Sequence, residues 1–115
     1  MTKFNYKDIN NCKHHVEDLL RDLATNLIIA QMDYKTSPDD PDHCLECQDL
    51  ADKLLDYSEH VYEIDDTVTN LRDLIITPCL DRINKWRATN SCNSHWTLEN
   101  QQIIRKLNRI YLMLA

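Results

Sequence analysis

Residues 50–75 read LADKLLDYSEHVYEIDDTVTNLRDLI. Leu50, Leu54, Tyr57, Val61, Ile64, Val68, Leu71 and Ile75 recur at alternating intervals of four and three. That is the seam of a helix that packs along its whole length, since 3.5-residue spacing keeps one edge facing a neighbour. With its first turn, the helix is expected to span Asp42 to Ile76, about 50 Å at about 1.5 Å per residue. A break near Ser58 is the alternative, because Asp56-x-x-Glu59 has the form of a capping box. The seam holds its phase through Ser58, which favours one helix. Thr67, Val68 and Thr69 are poor helix formers, so packing has to hold that part.

Upstream, Ile9, Cys12, Val16, Leu19, Leu20, Leu23, Leu27 and Ala30 form one apolar stripe. A first helix is therefore expected from Asp8 to Asp33, with Lys13, Asp18, Arg21, Asp22 and Gln31 on its other side. The segment from Lys35 to His43 holds two prolines and three aspartates and reads as a loop, with Asp42 as N-cap of the second helix. Thr77-Pro78 is a stop-and-start signal, the threonine capping and the proline opening a third helix to Ala88. That helix buries Leu80, Ile83 and Trp86. Residues 89–95 are a polar loop. Thr97 caps a fourth helix resting on Leu98, Ile103, Ile104, Leu107, Ile110, Tyr111 and Leu114.

The expected fold is all-α, one domain over residues 1–115. A helical hairpin with a long second helix is completed to a three- to four-helix bundle. A helix of that length outruns the partners one small chain supplies, so a second copy, a homodimer, is expected to cover the rest of the seam. The chain has no glycine, where about 7% usage would give roughly eight. Phosphate-cradling and dinucleotide-binding loops, which need glycine at positive φ, are thereby excluded, and hairpin-rich β folds are disfavoured. No apolar run is long enough to span a membrane, and Met1 to Asn5 does not open a signal region. The expected location is the cytoplasm.

Charge is divided along the chain. Residues 1–77 hold seven Lys and Arg against 17 Asp and Glu; residues 78–115 hold six against two. The acidic part offers Asp39, Asp40, Asp42, Asp49, Asp52 and Asp56 as a surface for a basic protein, or as an imitation of nucleic acid. The basic part offers Arg82, Lys85, Arg87, Arg105, Lys106 and Arg109 as a phosphate-binding face. The net charge of −6 repels nucleic acid at long range, so nucleic acid is not the expected partner.

Five cysteines are an odd number, which argues against a closed disulfide framework. Cys44-Leu-Glu-Cys47 and Cys92-Asn-Ser-His95 together supply three thiolates and an imidazole, a set suited to tetrahedral structural zinc. A helix N-terminus at Cys44 and Cys47 favours the thiolates. Plain reduced cysteines are the competing reading, and a Cys12–Cys79 disulfide is a third. Cys12 and Cys79 lie on apolar stripes and read as small buried hydrophobes.

Two carboxylate pairs, Glu46 with Asp49 and Glu63 with Asp66, have a spacing similar to that of the all-α nucleotide pyrophosphohydrolases. The resemblance implies a Mg²⁺ site for nucleotide hydrolysis. It covers four residues, and Asp49 stands where that family has glutamate. On one straight helix Glu46 and Glu63 lie about 25 Å apart, so the site needs a break between them. Against this, the sequence points first to a non-enzymatic protein that binds another protein. Short acidic bundles of this kind occur among antitoxins, immunity proteins and phage inhibitors, an analogy of class only.

Overall fold

The computed structural model describes residues 9–34, 41–89 and 98–114, with side chains for residues 9–29, 48–88 and 98–114. The described residues hold four helices and no strand. Helix α1 is Ile9–Tyr34 and α2 is Pro41–His60. A 3₁₀ turn, Val61–Glu63, and an extended bend lead into α3, residues 68–89; α4 is Leu98–Leu114. The expected cap Thr97 lies outside the described residues.

The helices run alternately up and down. Lys13 and His14 on α1 meet Ile64, Asp66 and Tyr62 beyond the end of α2. Arg82 on α3 meets Asp49 on α2. Arg72 at the start of α3 donates to the carbonyl of Leu114 at the end of α4, at 3.3 Å. Asn26 on α1 donates to Asn100 on α4, at 2.9 Å. Each helix is thus antiparallel to the next, and α4 closes back on α1. The molecule measures 47 × 29 × 21 Å.

The core is the set of stripes the periodicity picks out. Cys12, Val16, Leu19, Leu20, Leu23 and Leu27 come from α1, Leu50 and Leu54 from α2. Leu71, Ile75, Ile76, Cys79, Ile83 and Trp86 come from α3, and Ile103, Ile104, Leu107, Ile110 and Leu114 from α4. Leu98, expected in this stripe, is exposed, and the buried polar Asn100 takes up the contact with α1. Cys12 and Cys79 are buried thiols in the core, not joined in a disulfide.

The long second helix is interrupted. It passes Ser58, whose hydroxyl donates to the Leu55 carbonyl within the helix, and stops at His60. Ile64 and Thr67 are extended, with ψ of 157° and 144°. Thr67 accepts the amide of Asn70 on its side chain and so caps α3. The physical reason for the break is coverage. A straight helix would carry Leu71 and Ile75 away from the hairpin, whereas the bend folds them back against α2 and α4. Leu50, Leu54, Val61, Leu71 and Ile75 are all buried within one chain. Tyr57, Ile64 and Val68 of the same seam are half-buried.

Two helix starts also differ from expectation. α2 opens on Pro41, whose missing amide costs nothing in a first turn, so Asp42 lies inside the helix rather than capping it. Thr77-Pro78 does not open a helix. Leu71–Ile76 is a π turn in which the Thr77 amide donates to the Arg72 carbonyl, and α3 continues through Thr77–Thr89. A proline inside an α-helix lacks the donor for the carbonyl four residues back and collides with it. Widening the preceding turn by one residue resets the ladder, and the helix goes on.

Lys13 is the most consequential departure. Expected on the outer side of α1, it is 2% exposed. Its stem packs in the bundle and its Nζ donates to the Ile64 carbonyl at 3.1 Å and to Asp66 Oδ1 at 2.5 Å. Asp66 itself is 69% exposed, so the charged end sits at the rim of the core. Lys13→Ala removes both the stem and the tie and is expected to lower unfolding free energy by about 2–3 kcal/mol. Lys13→Met keeps the stem and is expected to cost about 1 kcal/mol. Urea unfolding of both variants measures the difference.

Candidate functional site: the carboxylate row of α2

The face of α2 opposite its buried seam carries Asp49, Asp52, Asp56 and Glu59, all exposed, and Glu63 extends the row in the 3₁₀ turn. The intervals are three, four, three and four, so the row shares the periodicity of the seam and lies along the other side of the same helix. From Asp49 to Glu59 it is about 15 Å long. Asp49, Asp52 and Asp56 were expected in such a surface. Asp39 and Asp40 lie outside the described residues, as does the side chain of Asp42. Glu59 and Glu63 were missed as members of the row, although their offset from Asp52 and Asp56 was there to be read.

Not all these charges face water alone. Asp49 is paired with Arg82. His60 stands between Asp56 and Glu63, 3.5 Å from a carboxylate oxygen of each. Its Nδ1–H donates to the Asp56 carbonyl at 2.7 Å. That hydrogen bond, with Glu63 and Asp56 beside it, raises the imidazole pKa above 6.5. On α1, half-buried His15 moves the other way. Burial lowers its pKa, and Lys106 adds to the effect.

These two shifts predict the pH profile of stability. A raised pKa means that the stabilisation from His60 is complete below pH 6.5 and is lost as pH rises through the folded value. A lowered pKa means that His15 costs stability as pH falls from 6.5 through its folded value. Thermal melts across pH 5–8 are expected to show a flatter alkaline side in His60→Gln and a flatter acid side in His15→Gln.

The other expected sites are distributed as follows. Cys44 and Cys47 lie one turn apart near the start of α2; their side chains, and Cys92 and His95, fall outside the described residues. The two carboxylate pairs of the hydrolase reading do not converge among the described side chains. Asp49 faces Arg82, Glu63 faces His60, and Asp66 is held by Lys13. The side chain of Glu46 is outside the description. One group of three potential ligands does occur among the described residues, on α1: His14, Glu17 and Asp18, with ligand atoms within 4.8 Å of one another. It is tied into neighbouring contacts, His14 sharing a hydrogen bond with the Tyr62 hydroxyl at 3.2 Å and Glu17 pairing with Arg21 at 3.5 Å. Burial pushes the Cys79 thiol up to about 12, which leaves it unreactive at neutral pH.

On the basic side, Lys85, Arg87, Arg105, Lys106 and Arg109 are exposed, while Arg82 is turned to Asp49. No helix among the described residues is long and apolar enough to cross a membrane. Comparison with protein-family models, with curated proteins and with solved structures finds no match.

Proposed function

We propose that this bundle is a non-enzymatic protein-binding module, a regulator, adaptor or inhibitor, that presents the α2 row to a basic surface of another protein. The observation that carries the reading is the row itself: Asp49, Asp52, Asp56, Glu59 and Glu63, exposed and periodic on one face. A row of like charges on a folded scaffold raises the local potential and steers an oppositely charged partner. It does so without ordering the partner's side chains first, because the helix already fixes the spacing. Protection of basic partners and imitation of nucleic acid draw on the same chemistry, which is why antitoxins, immunity proteins and phage inhibitors are the nearest class. Lys53, on the same side of α2, limits the row's charge.

Photo-crosslinking from position 52 in cells, against the same label at position 105, tests the proposal. The expected result is a basic protein captured from 52 and not from 105. Its affinity for the purified chain falls at least tenfold in Asp52→Lys/Asp56→Lys and falls with added salt. Capture indifferent to charge reversal overturns the reading. Release of pyrophosphate from a nucleoside triphosphate with Mg²⁺ would favour the hydrolase. Salt-sensitive binding of an oligonucleotide, lost in Arg105→Glu/Arg109→Glu, would favour the basic helices.

Zinc at Cys44, Cys47, Cys92 and His95 remains part of the proposal, as a staple from the start of α2 to the segment before α4. Protein purified without chelator is expected to carry one zinc per chain by mass spectrometry. Chelation then exposes Cys44, Cys47 and Cys92 to thiol reagents, while the buried Cys12 and Cys79 react only on unfolding. Metal-free protein with those three thiols already reactive removes the staple.

A further inference from the structure

The apolar seam keeps its phase through a segment, residues 61–67, that is not α-helical. Val61, Ile64 and Val68 continue the intervals set by Leu50, Leu54 and Tyr57, and no glycine or proline occurs between Pro41 and Pro78. Nothing in the covalent chain forbids a helix there. What holds the bend is a short list of polar contacts. Thr67 caps Asn70, and the Thr67 amide donates to the Asp65 carbonyl at 2.7 Å. From α1, Lys13 holds Ile64 and Asp66, and His14 holds Tyr62.

We propose that residues 61–67 are a hinge, and that straightening it exchanges α3 and α4 between two copies of the chain. In the exchanged form each α1–α2 hairpin is closed by the other copy's α3 and α4. The same residues cover the same core, so Leu71, Ile75, Ile76, Cys79 and Ile83 stay buried. Only the hinge differs between the two forms, and domain exchange is a low-cost route to a dimer for this reason.

The occupant is a second copy because no other chain carries the complement of these packed faces. The hinge itself adds to the argument. In a straight helix Val61, Ile64, Val68 and Leu71 lie on one line, and at the two-fold axis each copy's line meets its own equivalent. Ile64 and Val68, only half-buried in the closed chain, would be covered there. Opposing this are the lost ties of Lys13 and Thr67 and the weak helix propensity of residues 67–69. Lys13 acts on the balance selectively, since its link to Ile64 and Asp66 exists only when the hinge is bent.

The test is mass by light scattering after size exclusion, on protein refolded at high and at low concentration. Lys13→Met is expected to raise the dimer fraction several-fold over wild type. Asp65→Pro added to it is expected to restore the monomer. Proline at 65 suits the extended Ile64 before it, and in a straight helix its ring would collide with the Val61 carbonyl. Exchange is verified by refolding a mixture of donor- and acceptor-labelled chains, which gives energy transfer only in the dimer. Folded Lys13→Met that stays monomeric at every concentration overturns the proposal, as does a dimer that Asp65→Pro leaves intact. Should Lys13→Met fail to fold, wild type against Asp65→Pro, both refolded at high concentration, decides it: dimer in the first alone supports the hinge, monomer in both refutes it.

Discussion

Lys13 reaches from the flank of an apolar stripe to the carbonyl of Ile64 and the carboxylate of Asp66, and the turn it secures makes this a bundle rather than a rod. A fully buried ammonium without a counter-charge would be prohibitive. Here the side chain is buried to its end, and the nitrogen is held by the Ile64 carbonyl and by Asp66, whose own side chain is exposed. Everything after residue 67 depends on that turn. It sends α3 back along α2, which brings Arg82 to Asp49 and Arg72 to the end of α4. It also makes a slot beside α1 that α4 fills, with Asn26 and Asn100 joined across it.

A chain without glycine has to turn by other means. No described residue takes a positive φ. The bend after α2 uses extended backbone at Ile64 and Thr67, conformations open to any side chain. The proline that would ordinarily end a helix is absorbed instead, through the π turn before it. Both devices leave helices long and direct changes local, which suits a fold whose stability rests on packing faces rather than on capped short elements.

The charges follow the same geometry. α2 gives one face to the core and the opposite face to four acidic side chains, with Glu63 following in the 3₁₀ turn. α3 and α4 carry most of the basic residues, and Arg82 of α3 pairs with Asp49 of the α2 row. The row lies on a helix that the bundle packs on its inner side, with Asp52, Asp56 and Glu59 exposed on the outer one. A helix of fixed spacing carrying carboxylates at regular intervals is the feature on which the proposed recognition of a basic surface rests.

The apolar intervals of α1, α2 and α4 were legible in the residues because a stripe at three and four is a property of one helix, independent of its neighbours. So were the buried Cys12 and Cys79 and the acidic character of α2. Lys13 was misread, although it stands three residues before Val16 and seven before Leu20, on the flank of the stripe. Leu98 was misread for the opposite reason, an apolar residue at the right interval but past the edge of what α1 covers. The sequence by itself determined helices, their apolar sides and the division of charge, since all of these follow from local spacing and composition. Only the tertiary structure decided where the seam bends, that Pro78 lies inside a helix, and which acidic residues stay unpaired. Those outcomes turn on which surfaces meet, and an in-phase seam is equally compatible with a straight helix and a bent one until a neighbour such as Lys13 stabilises one of them.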